Sequence, residues 1–246
     1  MKRTTRSYTV SILLTFGLVA CLVSTAAAGL LLLADFDDET VGQPIPWGGA
    51  AAGEPVAIYP NQHVAAIVRD RPFPTPCLAI SDTADVYVVD VVKFELLDGA
   101  EITHGIARVD MDLWIEQDNR FRVDVREHGG ATYIFCEIAL YDGLIHVTWE
   151  DAGHWVIGSY RTGEPFHLRL QWDMDAMTFT VKVDGSVLVD HVPLPPTSLG
   201  VGSVLVGSEA DHDATGTIYL DNLTVWQDPP VGNAATTWSA VKNLYR

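Results

Sequence analysis

The sequence predicts an all-β protein, an antiparallel jelly-roll β-sandwich, and three observations carry that expectation. β-Branched and aromatic residues alternate with polar ones in run after run, the two-residue period of a half-buried strand. The runs are short and stop at turn residues such as Asp98-Gly99, Asp118-Asn119, Gly129-Gly130, Asp142-Gly143 and Asp184-Gly185. Glycine tolerates positive φ and Asp or Asn bonds the local backbone, so these pairs turn the chain tightly. No long helical period precedes the C-terminal tail. Many short strands with turns at this spacing specify a sandwich or jelly roll. No internal repeat of fixed period is present, which argues against a solenoid or propeller.

In chain order the expected strands are 30–36, 86–97, 105–117, 121–127, 132–141, 144–149, 155–160, 165–172, 177–183, 186–192 and 217–226. The segment 43–76 holds Pro44, Pro46, Pro55, Pro60, Pro72, Pro74 and Pro76 and reads as an irregular approach with one or two edge strands. Asp228-Pro229-Pro230 ends the domain, which therefore spans 29–228. The tail 229–246 contains a stretch, 236–246, that fits a short amphipathic helix with Trp238, Val241 and Tyr245 on one side.

The first 28 residues read as a secretory signal peptide of the bacterial type. Lys2, Arg3 and Arg6 precede an apolar run, and Ala26-Ala27-Ala28-Gly29 supplies a small-residue cleavage site. The apolar residues continue to Leu33, so a membrane anchor is the competing reading. Alternation into Asp35-Phe36-Asp37 favours a strand there and leaves the mature form without a membrane span. Leu18-Val19-Ala20-Cys21 also fits the box before a lipid-modified cysteine, although Leu22-Val23 follows where a polar tether is usual. The expected location is secreted or periplasmic, with lipid anchoring through Cys21 as the alternative. Cys77 and Cys136 then remain, either paired in an oxidising compartment or present as two small buried hydrophobes.

Charge narrows the partners. The net charge is −17, and it becomes −20 without the three N-terminal cations. Such a surface repels phosphate backbones and excludes nucleic acid as a partner. Neutral sugars, cations and basic partners stay open.

Two segments carry a family resemblance. Thr162-Gly163-Glu164-Pro165-Phe166-His167 leads through Trp172-Asp173 into Thr178-Phe179-Thr180-Val181-Lys182-Val183-Asp184-Gly185. Gly216-Thr217-Ile218-Tyr219-Leu220-Asp221-Asn222-Leu223-Thr224-Val225 reads as a closing strand, and Asp35 to Glu39 with Gly42 and Trp47 as a first strand and its exit. The chain thereby resembles the laminin-G-like and concanavalin-A-like jelly rolls. That resemblance implies the sandwich fold and leaves the activity open, because the fold hosts lectins, hydrolases, lyases and adhesion modules.

Alternation also sorts the candidate functional residues. Val109, Met111, Leu113 and Ile115 face the core, so Asp110, Asp112, Trp114 and Glu116 share the other face. Phe121, Val123 and Val125 place Arg122, Asp124 and Arg126 outward; Phe166, Leu168, Leu170 and Trp172 do the same for His167, Arg169 and Gln171. If these strands share one sheet, they build a sugar-binding face. Trp114 stacks on a pyranose while Asp112, Arg122, Asp124, Arg126, His167 and Arg169 bond its hydroxyls. A solvated face of cross-strand salt bridges is the plainer reading.

Hydrolysis requires two carboxyls roughly 5–5.5 Å or 6.5–9.5 Å apart. Asp110 and Asp112, two apart on a strand and so roughly 6.5–7 Å apart at Cα, meet that spacing. Related glucanases carry a Glu-x-Asp-x-Glu strand, however, and Trp114 stands where the third acid would be, ahead of Glu116. Asp37, Glu39 and Asp221, on the first and last strands, are oxygen donors suited to a structural calcium. No other cofactor is expected, and no zinc spacing, nucleophile elbow or phosphate loop is present. The expected function is an exported non-catalytic module that binds a glycan or cell-surface polymer. The alternatives are a glycan-cleaving enzyme using Asp110, Asp112 or Glu116, and a purely structural or adhesive surface protein.

Overall fold

The computed structural model describes residues 29–48, 54–61, 64–82, 91–117, 119–128, 134–148, 154–194, 200–208 and 216–228. The expected signal peptide, Cys21 and the tail 229–246 lie outside the described residues. The strands are β1 (Gly29–Ala34), β2 (Ala57–Pro60), β3 (Val64–Arg69), β4 (Cys77–Asp82), β5 (Val91–Glu95), β6 (Ile106–Ile115), β7 (Phe121–Arg126) and β8 (Ile134–Tyr141). They continue with β9 (Leu144–Thr148), β10 (His154–Ser159), β11 (Phe166–Asp173), β12 (Thr178–Val183), β13 (Ser186–Pro193), β14 (Ser203–Ser208) and β15 (Thr217–Asp228). A 3-10 turn at Leu97–Gly99 is the one helical element among the described residues.

These strands form two antiparallel sheets, the jelly-roll sandwich the sequence predicts. The first sheet runs β13-β12-β11-β6-β15-β4-β3, and β1 also pairs with β15. The second runs β10-β9-β8-β7-β14-β5-β2. β15 organises the first sheet. It pairs with β6 along one edge, and its other edge takes β4 over Thr217 to Leu220 and then β1 over Leu223 to Gln227. First and last strands are thus neighbours.

Alternate residues of both sheets fill one core. Ala107, Val109, Met111, Leu113 and Ile115 of β6 meet Leu168, Leu170 and Trp172 of β11 from the same side. Val123 and Val125 of β7 and Ile138 and Leu140 of β8 come from the second sheet. Trp172 is fully buried and tilts against Phe179, with ring centroids 5.3 Å apart. The turn chemistry is as expected: Asp142-Gly143 and Asp184-Gly185 both hold positive φ at two successive residues and close the β8–β9 and β12–β13 hairpins.

Two strands escape the sequence reading. β14 is buried along its whole length, so its Ser-Val-Leu-Val-Gly-Ser run shows little polar alternation. β4 begins at Cys77, directly after the proline-rich segment, and its first four residues are buried. The edge strands expected near that segment are β2 and β3. Of the expected strand 86–97, the described part is Val91–Glu95.

Cys77 and Cys136 are both free thiols. Cys136 joins the core from the second sheet, whereas Cys77, next to the core residue Leu78, points away from the core in the first. The buried-hydrophobe reading is the one the structure takes. Burial pushes the Cys77 thiol up to about 11.

Replacing Trp172 with Ala removes the largest fully buried side chain. We expect a loss of about 3–5 kcal/mol, read as a shift in urea midpoint at unchanged slope. A loss under about 1 kcal/mol would contradict the packing described.

Candidate functional site

The residues singled out by alternation fall on two different surfaces. β6, β11 and β15 are adjacent in the first sheet, and their cross-strand partners are Asp112 with His167 and Asp221, and Asp110 with Arg169 and Thr224. A bulge between Asp221 and Thr224 leaves Asn222 exposed at φ 53°. His167 is clamped between two carboxylates: Nδ1 lies 2.8 Å from Asp112 Oδ1 and Nε2 3.2 Å from Asp110 Oδ1. Arg169 Nε donates to the same Asp110 oxygen, and Asn222 Nδ2 donates to Asp112 Oδ2 at 2.9 Å.

The bonds to Asp110 and then to Asp112 raise His167 to about 9, so both ring nitrogens donate at neutral pH. Burial alone would raise Asp110, but the bonds from His167 and Arg169 outweigh it and hold its carboxyl below the ordinary range. Trp114 is partly buried and meets Tyr219 edge-on, with centroids 5.0 Å apart. Glu116 is exposed just beyond β6.

Arg122, Asp124 and Arg126 do not join that cluster. They belong to β7 in the second sheet and point away from the core on the opposite side of the sandwich. The single polar face expected from the sequence is therefore two faces. The reason is topological: β6 and β7 follow one another in the chain but lie in different sheets.

The second face is the more deeply buried. Arg122 Nε and Nη2 donate to the two oxygens of Asp124 at 2.9 and 2.6 Å, and Nη2 also reaches Glu137 Oε2 at 2.9 Å. Arg126 Nη2 donates to Asp124 Oδ2 at 2.6 Å. The Asp124 side chain is 0% exposed and that of Arg122 is 8%. Small residues make room for them: Gly207 and Ala139 flank Arg122 across the ladder, and Ser203 lies beside Arg126.

The same face continues outward on both sides. Towards β9, Tyr141 stacks on His146 at 3.9 Å, its hydroxyl lies 3.1 Å from Nδ1, and Arg120 sits 4.3 Å over the Tyr141 ring. Towards β2, Lys93 bonds Glu95 at 2.6 Å and lies 4.8 Å over the Tyr59 ring. Glu137, His146, Tyr141, Lys93 and Glu95 were not singled out from the sequence. Alternation in β8, with Cys136, Ile138 and Leu140 inward, would have found Glu137 and Tyr141.

No three His, Cys, Asp or Glu side chains among the described residues form a group that could hold a metal ion. Asp37, Glu39 and Asp221 form no such group. Asp221 accepts bonds from Thr75 Oγ1 and the Asn222 amide, both at 2.8 Å. Burial, with the charges of Asp112 and Asp37, raises its carboxyl to about 6 against those two bonds. No helix among the described residues is long and apolar enough to cross a membrane.

No protein-family model and no curated protein matches the chain. Solved structures do. A sialidase superposes with a TM-score of 0.56 at 14% identity over 80% of this chain and 18% of its own, so the chain spans under a fifth of that protein. The cellulose-induced protein Cip1 gives 0.52 at 10% identity over 71% of this chain and 90% of its own. Alginate lyase A1-II′ gives 0.50 at 10% identity over 69% and 85%. At such identities the likeness establishes the fold, a jelly-roll β-sandwich consistent with the concanavalin-A-like type.

The clamp on His167 has a measurable consequence. Its pKa is raised from 6.5 to about 9, so the stability it adds is fully present below pH 6.5 and is lost as pH rises through 9. We expect a proton-resonance titration midpoint near 9 for this imidazole. The melting-temperature gap between the protein and His167→Gln should narrow over the same range. A midpoint near 6.5 would show that the clamp is absent in solution.

Proposed function

We propose that the chain is an exported β-sandwich module that binds a glycan or cell-surface polymer through the outer face of its second sheet. One observation supports this most: the Arg122–Asp124–Arg126–Glu137 network is buried on a face that is not the core. Dense, mutually bonded ionisable groups held in fixed geometry are what a preorganised hydroxyl-binding surface requires. Asp124 is inaccessible, so its part is to hold the guanidiniums; Arg126 and Lys93, at 14% and 35% exposure, present donors outward. Similarity in fold to a sialidase, an alginate lyase and a cellulose-induced protein is in keeping with a carbohydrate ligand.

The first-sheet cluster suits a brace. Asp110 and Asp112 are already bonded to His167, Arg169 and Asn222, ties that join β11, β6 and β15. Of the residues expected to bind a glycan, this proposal therefore keeps those on the second sheet and drops Trp114, Asp112, His167 and Arg169: Arg126, with Lys93, meets the ligand, while Arg122, Asp124 and Glu137 form the buried support.

A glycan array probed with the full chain tests this. Specific binding is expected, and Arg126→Ala should weaken it about tenfold, the value of one charge-assisted hydrogen bond, at a melting temperature still well above that of the assay. Trp114→Ala should leave binding within about twofold. A blank array from folded protein, or binding lost with Trp114 and kept without Arg126, would overturn the assignment.

A further inference from the structure

The second-sheet face ends at an aromatic side chain that the cross-strand network does not use. Trp47 is 71% exposed, the most exposed large hydrophobic side chain among the described residues. It is nonetheless held in place. Ile45, two residues before it, is buried, and the Gly48 amide donates to the Ile58 carbonyl of β2 at 2.9 Å. Gly48 has φ 68° and its α-carbon lies against Tyr59: a Cβ there would sit 3.6 Å from the ring. Trp47 meets Tyr59 edge-on, with centroids 5.6 Å apart. Tyr59 in turn carries Lys93 over its ring, and Lys93 is tied to Glu95. Indole, phenol and ammonium thus form one braced unit at the β2 edge. A fixed, solvent-facing indole beside hydrogen-bond donors is the kind of surface on which a pyranose stacks.

The register places this unit in line with the buried network. Tyr59 is partnered with Lys93, Lys93 with Leu205, Leu205 with Asp124, and Asp124 with Glu137. That row crosses from β2 to β8 in four strand spacings, roughly 19 Å. Its ion pairs also cancel. Lys93, Arg122 and Arg126 face Glu95, Asp124 and Glu137, each cation bonded to a carboxylate. Among the described residues of this row, Lys93, Arg122 and Arg126 are each already matched by a carboxylate, which disfavours an acidic sugar there.

We infer that Trp47, braced by Tyr59 and Lys93, is the end subsite of the second-sheet face, and that its ligand is an uncharged linear glycan laid across the strands. The inference rests on the glycan-binding reading of that face and adds the ligand's class, direction and length. With each sugar unit spanning about one strand spacing, about four units cover the row from Tyr59, beside Trp47, to Glu137.

The test is calorimetric titration of the full chain with neutral linear glucan, xylan and mannan oligomers of about two to six units, with an acidic uronan series beside them. For one neutral series, affinity should rise with length and level off near four units. Trp47→Ala should weaken the tetramer about tenfold and flatten the length dependence, while Trp47→Phe restores most of it. Exposure of the indole means that neither variant should alter the melting temperature. Arg126→Ala should weaken short and long oligomers alike. Wild-type affinity for the tetramer in Trp47→Ala, with Arg126→Ala still impaired, would sink the subsite and leave the face standing. Preference for the uronan series would overturn the ligand class. Binding of no oligomer, or binding indifferent to Arg126, would overturn both the subsite and the reading beneath it.

Discussion

Every feature of this molecule depends on the two-sidedness of its strands. A strand that gives alternate side chains to the shared core must display the others on the outside of its sheet. With two sheets packed on one core, the protein owns two outer faces and no third place to put its polar side chains. Val109, Met111 and Leu113 turned inward commit Asp110 and Asp112 to one face; Val123 and Val125 turned inward commit Arg122, Asp124 and Arg126 to the other.

The two faces resolve that obligation differently. On the first sheet the cluster is partly open, with His167 37% exposed. Its imidazolium ties neighbouring strands together where solvent screens the charges, and such bridges add little individually. On the second sheet Asp124 is wholly enclosed and bonds two guanidiniums. Enclosing charges costs several kcal/mol per ion before pairing offsets it, and apolar side chains of the same size would often serve stability as well. The worth of the buried network therefore lies in fixed geometry more than in stability, which is what links it to ligand recognition. The glycine, alanine and serine interleaved with it, Gly207, Ala139 and Ser203, keep the guanidiniums close to the sheet.

Much of the fold was legible in advance because its signals are local. Alternation, Asp-Gly turns and proline punctuation each act within a few residues, and they located β6 to β13, β15 and the neighbouring first and last strands. β14 was missed because a strand buried on both sides shows no alternation to read. Trp47 was legible only as the exit of a first strand, since nothing in its neighbours shows that Tyr59 and Lys93 stand beside it.

By itself the sequence determined the architecture and the inward or outward sense of each candidate side chain, because side-chain alternation and turn chemistry are properties of short segments. Only the tertiary structure decided which outward residues keep company. It separated Arg122, Asp124 and Arg126 from Asp112 and His167, placed Cys77 and Cys136 in different sheets, and lined Tyr59 up with Glu137. The physical reason is that at some steps, as from β6 to β7, the chain crosses from one sheet to the other. Neighbours in sequence then become strangers in space, and the partners of a face come from segments as distant as Lys93, Asp124 and Leu205.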